Sequence, residues 1–135
     1  MTAIPYQQAR EWPPFPAVSV SVSNLMAERA ESVSAKIDTG AFMTVMPRRL
    51  LERIQADETP RERECTSYGG HSNVWPVFIV GLEVLDPRWP DDVERRFEAI
   101  DVLGVDGPAE VLLGRDVLAA WHLHLDGRSS HYTVT

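Results

Sequence analysis

Cysteine is nearly absent from this sequence, because Cys65 is the only one among 135 residues. A lone cysteine excludes an intrachain disulfide and any metal site built from thiolates alone. Long apolar runs are also missing, since no stretch approaches the roughly 18 residues that suggest a membrane span. The first residues lack the basic and apolar regions of a secretory signal peptide. These absences predict a soluble, cytoplasmic protein with no membrane partner.

Basic residues are in deficit, with 13 lysines and arginines against 20 acidic residues and a net charge of -7. This balance disfavours nucleic acid and anionic lipid as partners. Apolar types make up 44% and charged types 24% of the chain, which is ordinary for a globular protein with a core. The length fits one domain, since domains most often hold roughly 100 to 150 residues.

Prolines are concentrated at the N-terminus, where four lie within the first 16 residues. Proline fixes φ and lacks a backbone donor, so the segment is poorly suited to strand pairing. The pattern predicts a proline-rich, irregular arm over residues 1–16 and a folded domain over residues 17–135.

Alternation of apolar and polar residues is the main structural signal after the arm. Val18, Val20 and Val22 alternate with serines from Ala17 to Ser23, which is the period of a half-buried strand. Further strands are predicted at 32–37, 61–68, 74–84 and 97–105, with one short helix after Pro47 and another near 116–120. Many short strands with tight turns indicate a mostly-β barrel or sandwich.

The segment I-D-T-G-A, from Ile37 to Ala41, places a carboxylate directly after a buried strand. Asp38 is followed by a hydroxyl and by a glycine that can turn sharply. The same residues also serve as an ordinary turn between strands.

A second motif, V-L-L-G-R-D from Val111 to Asp116, runs an apolar strand through a glycine into a predicted helix. Taken alone, it is equally well a buried strand with a glycine bend. Between the two motifs, Gly69 and Gly70 predict the tip of a hairpin, because adjacent glycines readily supply positive φ.

In this order, the motifs resemble those of the retropepsin-like aspartic peptidases, from about Ala17 to Gly127. The resemblance implies a closed acid-protease barrel with a flap hairpin and one or two short helices. It implies that Asp38 is the catalytic aspartate of a homodimer that acts on peptide or protein substrates. The helix after Pro47 is similar to that of cellular relatives, the DNA-damage-inducible retropepsin-like proteins.

The resemblance also assigns supporting residues. It implies that the active-site loop is formed and supported by Thr39, Gly40, Ala41, Leu112, Leu113 and Gly114. It implies that the tip of the flap contains Tyr68, Gly69, Gly70 and His71.

Two features depart from the viral members of that family. Phe42 occupies the position of a second aspartate that pairs with the arginine of the glycine-arginine step. Arg115 therefore needs another partner, and the candidates are Glu110, Asp116, Asp57 and Glu52. The N-terminal arm is ill suited to the interleaved sheet of the viral dimer, which leaves that role to the C-terminal H-Y-T-V-T.

Hydrolysis by carboxylates requires one group to accept a proton from water and another to donate one to the carbonyl. The chain has one D-T-G loop, so a symmetric homodimer is the economical way to build the pair. Such a pair needs no metal or organic cofactor. The alternative is a catalytically silent peptide-binding or dimerisation module on the same fold, because sites rather than folds decide activity.

His122 and His124 would lie on one strand face, a spacing that can bind zinc, but no third ligand is evident. The favoured interpretation is two solvent-facing histidines opposite buried Trp121, Leu123 and Leu125.

Overall fold

The structure is a computed structural model that describes residues 2–10, 12–66, 70–107 and 110–135. The described residues form short strands and two helices. In chain order the elements are β1 (Ile4–Pro5), β2 (Ala17–Ser23), β3 (Ala30–Ile37), β4 (Val45–Pro47), α1 (Arg48–Arg53), β5 (Asp57–Thr66), β6 (Ser72–Val84), β7 (Arg96–Val105), β8 (Val111–Leu113), α2 (Arg115–Leu118), β9 (Leu123–Asp126) and β10 (His131–Val134).

Six of the strands close into a barrel. Their order is β2-β3-β8-β4-β7-β6, and β2 pairs again with β6 to complete the ring. Val18, Val20 and Val22 point into the core, as their alternation with serine predicts. The mostly-β, closed-barrel prediction is confirmed.

Both short helices follow from local sequence. Pro47 occupies the N-cap position of α1 with a φ of -63°, and Leu50, Leu51 and Ile54 are buried against the barrel. The α2 helix begins directly after Gly114 and buries Val117 and Leu118. Both predicted helices are present, with small differences in their bounds.

The N-terminal arm differs from its prediction, because Ile4 and Pro5 form a strand with Tyr132 and His131 of β10. Ile4 is only 1% exposed and belongs to the main core. Proline is tolerated here because β1 lies at the edge of its sheet, where the missing N–H is not needed for pairing. The expectation that the arm does not pair is wrong at these residues, while a domain boundary at residue 16 stays a prediction.

The C-terminal strand β10 lies between β1 and β9 in a second, three-stranded sheet. Trp121 is buried as expected, but Leu125 is 41% exposed, so its predicted burial is wrong. Leu125 lies on β9, an outer strand of this sheet. His122 and His124 are exposed, and the described residues contain no group of three or more residues suited to hold a metal ion.

A buried carboxylate secures the loop between β6 and β7. The guanidinium of Arg88 donates to both oxygens of Asp86, at 3.0 and 2.9 Å. These hydrogen bonds lower the pKa of Asp86, although burial opposes them. Because the pKa is lowered, the contribution to folding is present above the usual aspartate pKa of about 3.9 and is lost as the pH falls through the folded value.

Candidate active site

The D-T-G loop begins where β3 ends beside β8. These strands pair in parallel, with Ile37 opposite Leu113, and the amide of Asp38 donates to the Leu113 carbonyl at 3.0 Å. Leu113 is fully buried, so it fixes the position of Asp38 from within the core. Leu112 is partly buried on the opposite face of β8.

Asp38 also organises the turn that follows it. Its Oδ1 accepts a hydrogen bond from the amide of Gly40 at 2.9 Å, and its carbonyl accepts one from Ala41 at 3.2 Å. Asp38 is half-buried, whereas Thr39 and Gly40 are exposed. The turn therefore holds a carboxylate at the surface of the barrel in a defined orientation.

The N-terminal arm supports the same loop from the other side. The carbonyl of Pro16 accepts a hydrogen bond from the amide of Ile37 at 3.0 Å. The ammonium group of Lys36 lies 5.0 Å from the centre of the Phe15 ring, a cation–π distance. Phe15 and Pro16 of the arm thus hold the end of β3, the strand that leads into Asp38.

Thr44 is a buried link between the two sequence motifs and was not among the predicted site residues. Its hydroxyl donates to Oδ1 of Asp116 at 2.9 Å and accepts from the amide of Gly114 at 3.2 Å. Its own amide donates to Oδ2 of Asp116 at 3.1 Å. The available signal was a threonine within the apolar run F-M-T-V-M, because a polar side chain that becomes buried requires hydrogen-bond partners.

Gly114 permits the close approach on which this link depends. A Cβ at this position would lie 2.4 Å from the carbonyl carbon and 2.5 Å from the carbonyl oxygen of Met43. The next residue, Arg115, donates its amide to the carbonyl of Ala41 at 2.9 Å. Glycine is therefore required at this position, because any side chain would collide with the backbone of Met43.

The expected ion pair of Arg115 is not found. Within the described ranges, no carboxylate lies within ion-pair distance of its guanidinium, and Asp116 instead binds Thr44. Successive side chains of a helix point in different directions, so Asp116 can turn toward Thr44 while Arg115 remains exposed. Glu110, Asp57 and Glu52 are also not its partners.

The predicted hairpin is formed by β5 and β6, which pair antiparallel as far as Thr66 and Ser72. The hydroxyl groups of those two residues lie 2.9 Å apart. Gly70 has a φ of +86°, the positive value that its position near a tip predicts. His71 is exposed, while Tyr68 and Gly69 lie outside the described residues.

A small apolar cluster connects the hairpin to the loop. Met43, Val77 and Leu103 are buried together, with Trp75 and Cys65 packed against them. Cys65 thus has a packing role within β5. The hairpin and the segment after the D-T-G loop therefore share one small core.

Comparison with known proteins assigns the chain to a family. The family model described as aspartyl protease matches residues 18–117 of the 135. The chain belongs to the aspartyl protease family. The match contains both the D-T-G loop and the V-L-L-G-R-D motif, so the resemblance seen in the sequence is confirmed.

Solved structures include a match to the protease of EIAV in complex with the inhibitor HBY-793. It shares 18% sequence identity, covers 83% of this chain and 92% of that protein, and has a TM-score of 0.44. No curated protein matches this member of the aspartyl protease family. In the part of the chain that the structure describes, no helix is long and apolar enough to cross a membrane.

Removing the Thr44 hydroxyl is expected to weaken the fold. Thr44→Val removes the hydroxyl contact to Asp116, which keeps its backbone donors, and leaves the buried Gly114 amide without its partner. This loss should lower the free energy of unfolding by about 1–3 kcal/mol. Thr44→Ser keeps the hydroxyl and loses only a methyl group, so it should be less destabilised. Urea unfolding of the three proteins measures both effects, and equal stability of Thr44→Val and wild type would contradict the assigned role.

Proposed function

We propose that the protein is an aspartic endopeptidase whose catalytic pair consists of Asp38 from each of two copies. The observation that carries the proposal is the exposed D-T-G turn, which holds the Asp38 carboxylate at the barrel surface on a braced backbone. Membership of the aspartyl protease family supports the same chemistry. Thr39, Gly40 and Ala41 are the residues of this loop proposed to meet the second copy and the substrate.

Two facing carboxylates can divide the work of hydrolysis. At about 3 Å separation both cannot ionise, so the pair holds one proton over a range of pH, as the paired aspartates of pepsin do. The ionised member accepts a proton from water, and the protonated member donates to the scissile carbonyl. A tetrahedral diol then forms without a covalent bond to the protein.

The hairpin of β5 and β6 is proposed to act as a flap. An extended peptide lying between the hairpin and the D-T-G loop can add its backbone to strand edges, and closure of the hairpin excludes water. The positive φ of Gly70 and the packing of Trp75 next to Met43 support this arrangement, since they give a turning tip on a base anchored near the loop.

The second copy has a free strand edge available to it. The β9 strand pairs with β10 on one side, and within the described residues its other edge has no strand partner. Exposed Leu125 lies on this strand. We propose that this edge, rather than β10, contributes to the dimer interface.

The dimer requirement predicts that activity depends on protein concentration. Specific activity on an unfolded protein between pH 4 and pH 7 should fall on dilution, because monomers lack a complete catalytic pair. Sedimentation over the same concentrations measures the dimer fraction, and the two curves should coincide. A monomer that still hydrolyses peptide at its full specific rate contradicts the shared pair, and binding of peptide without cleavage at any concentration supports a silent module.

A further inference from the structure

A cleft lies beside the D-T-G loop, between the segment that follows it and the base of the hairpin. It has a volume of about 480 Å³. Phe42 and Met43 line it on the side of the D-T-G loop, Arg61 and Arg63 line it from β5, and Asp101 of β7 also borders it. Phe42 is 44% exposed, so an apolar surface remains open to a ligand.

The strand β5 separates opposite charges onto its two faces. Residues two apart in a strand share a face, so Arg61, Arg63 and Cys65 point one way and Glu62 and Glu64 the other. Cys65 packs against the small core beneath the hairpin, and both arginines line the cleft. The hairpin therefore turns its arginines toward the cleft and these two glutamates away from it.

Other charged groups of the cleft already have partners. Arg61 forms an ion pair with Asp101, with Nη1 and Oδ2 separated by 2.8 Å. The Asp116 carboxylate accepts hydrogen bonds from Thr44. Among the described residues, no carboxylate lies within ion-pair distance of Arg63.

The cleft is lined by two arginines and two aspartates, so its formal charges balance. Of these four side chains, Arg63 is the one for which the described residues provide neither an ion pair nor a hydrogen bond, so its guanidinium is available to a ligand. A guanidinium presents planar, paired donors that match a carboxylate, and such hydrogen bonds are stronger than neutral ones. The apolar wall of Phe42 and Met43 suits the methylene groups that precede a carboxylate.

We propose that this cleft binds an acidic side chain of the peptide substrate and that Arg63 is its ion-pair partner. The proposal rests on the proposed peptidase function and deepens it. It assigns selectivity to one fixed substrate position, separate from the chemistry at Asp38.

The test is a cleavage profile on a peptide library, followed by single peptides that differ only in Glu or Gln at the preferred position. The wild type should prefer the acidic residue, and Arg63→Gln should reduce kcat/KM for the Glu peptide about tenfold while changing the Gln peptide much less. Arg63→Glu should shift the preference toward Lys or Arg. Arg128→Gln is the matched control, because it removes the same charge from an exposed turn.

The outcomes separate this inference from the function itself. Cleavage without an acidic preference, or a preference unchanged in both Arg63 variants, overturns the inference and leaves the peptidase intact. If no peptide is cleaved, the peptidase proposal fails, and fluorescence anisotropy with the same Glu and Gln peptides decides the inference. Tenfold tighter binding of the Glu peptide, lost in Arg63→Gln, supports it, and equal binding overturns it.

Discussion

Asp38→Asn is expected to abolish peptide hydrolysis, with kcat lowered by at least about 10²–10⁴-fold. An asparagine oxygen can still accept the hydrogen bond from Gly40, so the turn and the fold should survive. The amide cannot accept a proton from water, and in a homodimer both members of the pair are changed at once. The rate of appearance of new peptide termini, measured by mass spectrometry from pH 4 to pH 7, gives the result.

The matched control for this prediction is Asp92→Asn, which removes a carboxylate from an exposed loop and should leave kcat unchanged. Mixing wild-type and Asp38→Asn proteins provides a sharper test of whether the catalytic pair is shared between two copies. Added Asp38→Asn protein should inhibit the wild type by forming mixed dimers, and the inhibition should require subunit exchange. Full activity in Asp38→Asn would remove the catalytic role of this residue, while failure to inhibit after exchange would count against a pair shared between copies.

The second large effect is expected from Gly114→Ala. The added methyl carbon would lie 2.4 Å from a backbone atom of Met43, so the loop segment or the start of α2 must move. Overpacking of this kind costs about 1–3 kcal/mol of stability. A shift of about 1 Å at reacting groups can lower the rate about 10²-fold, so activity should fall even where the protein stays folded.

Gly127→Ala is the control, because a Cβ at that position meets no atom within 4 Å. Its stability should stay within about 0.5 kcal/mol of wild type, as is usual for surface changes. Thermal unfolding and kcat are measured on both variants. If Gly114→Ala matches Gly127→Ala in both quantities, the close backbone approach does not constrain the site.

Periodic patterns predicted much of this fold because they report which face of an element is buried. The alternation of Val18 and Val20 located β2, and the spacing of Leu50 and Leu51 located α1. Leu125 shows the limit of that reasoning. Its alternation with polar residues is the same, but burial also requires another element to pack over that face of the strand. Ile4, on the opposite edge strand β1, is 1% exposed, whereas Leu125 is 41% exposed.

The candidate site also has a part that local sequence predicts and a part that depends on tertiary packing. The D-T-G sequence identified Asp38 because the chemistry of a carboxylate beside a turn is local. Thr44 and Asp116 are 72 residues apart, and their hydrogen bonds bring them together only after the barrel closes. No local sequence pattern encodes such a contact, so the sequence alone could not predict this hydrogen bond.

By itself, the sequence determined the alternating strands, the two helical segments, the single D-T-G loop and the family to which it belongs. Tertiary structure alone decided that Ile4 joins the core, that Asp116 rather than Arg115 braces the loop, and that Arg63 faces a cleft. The physical reason is sequence separation. Propensity and periodicity act over a few neighbouring residues, whereas the hydrogen-bond and ion-pair partners of a side chain depend on which distant segments the closed barrel brings into contact.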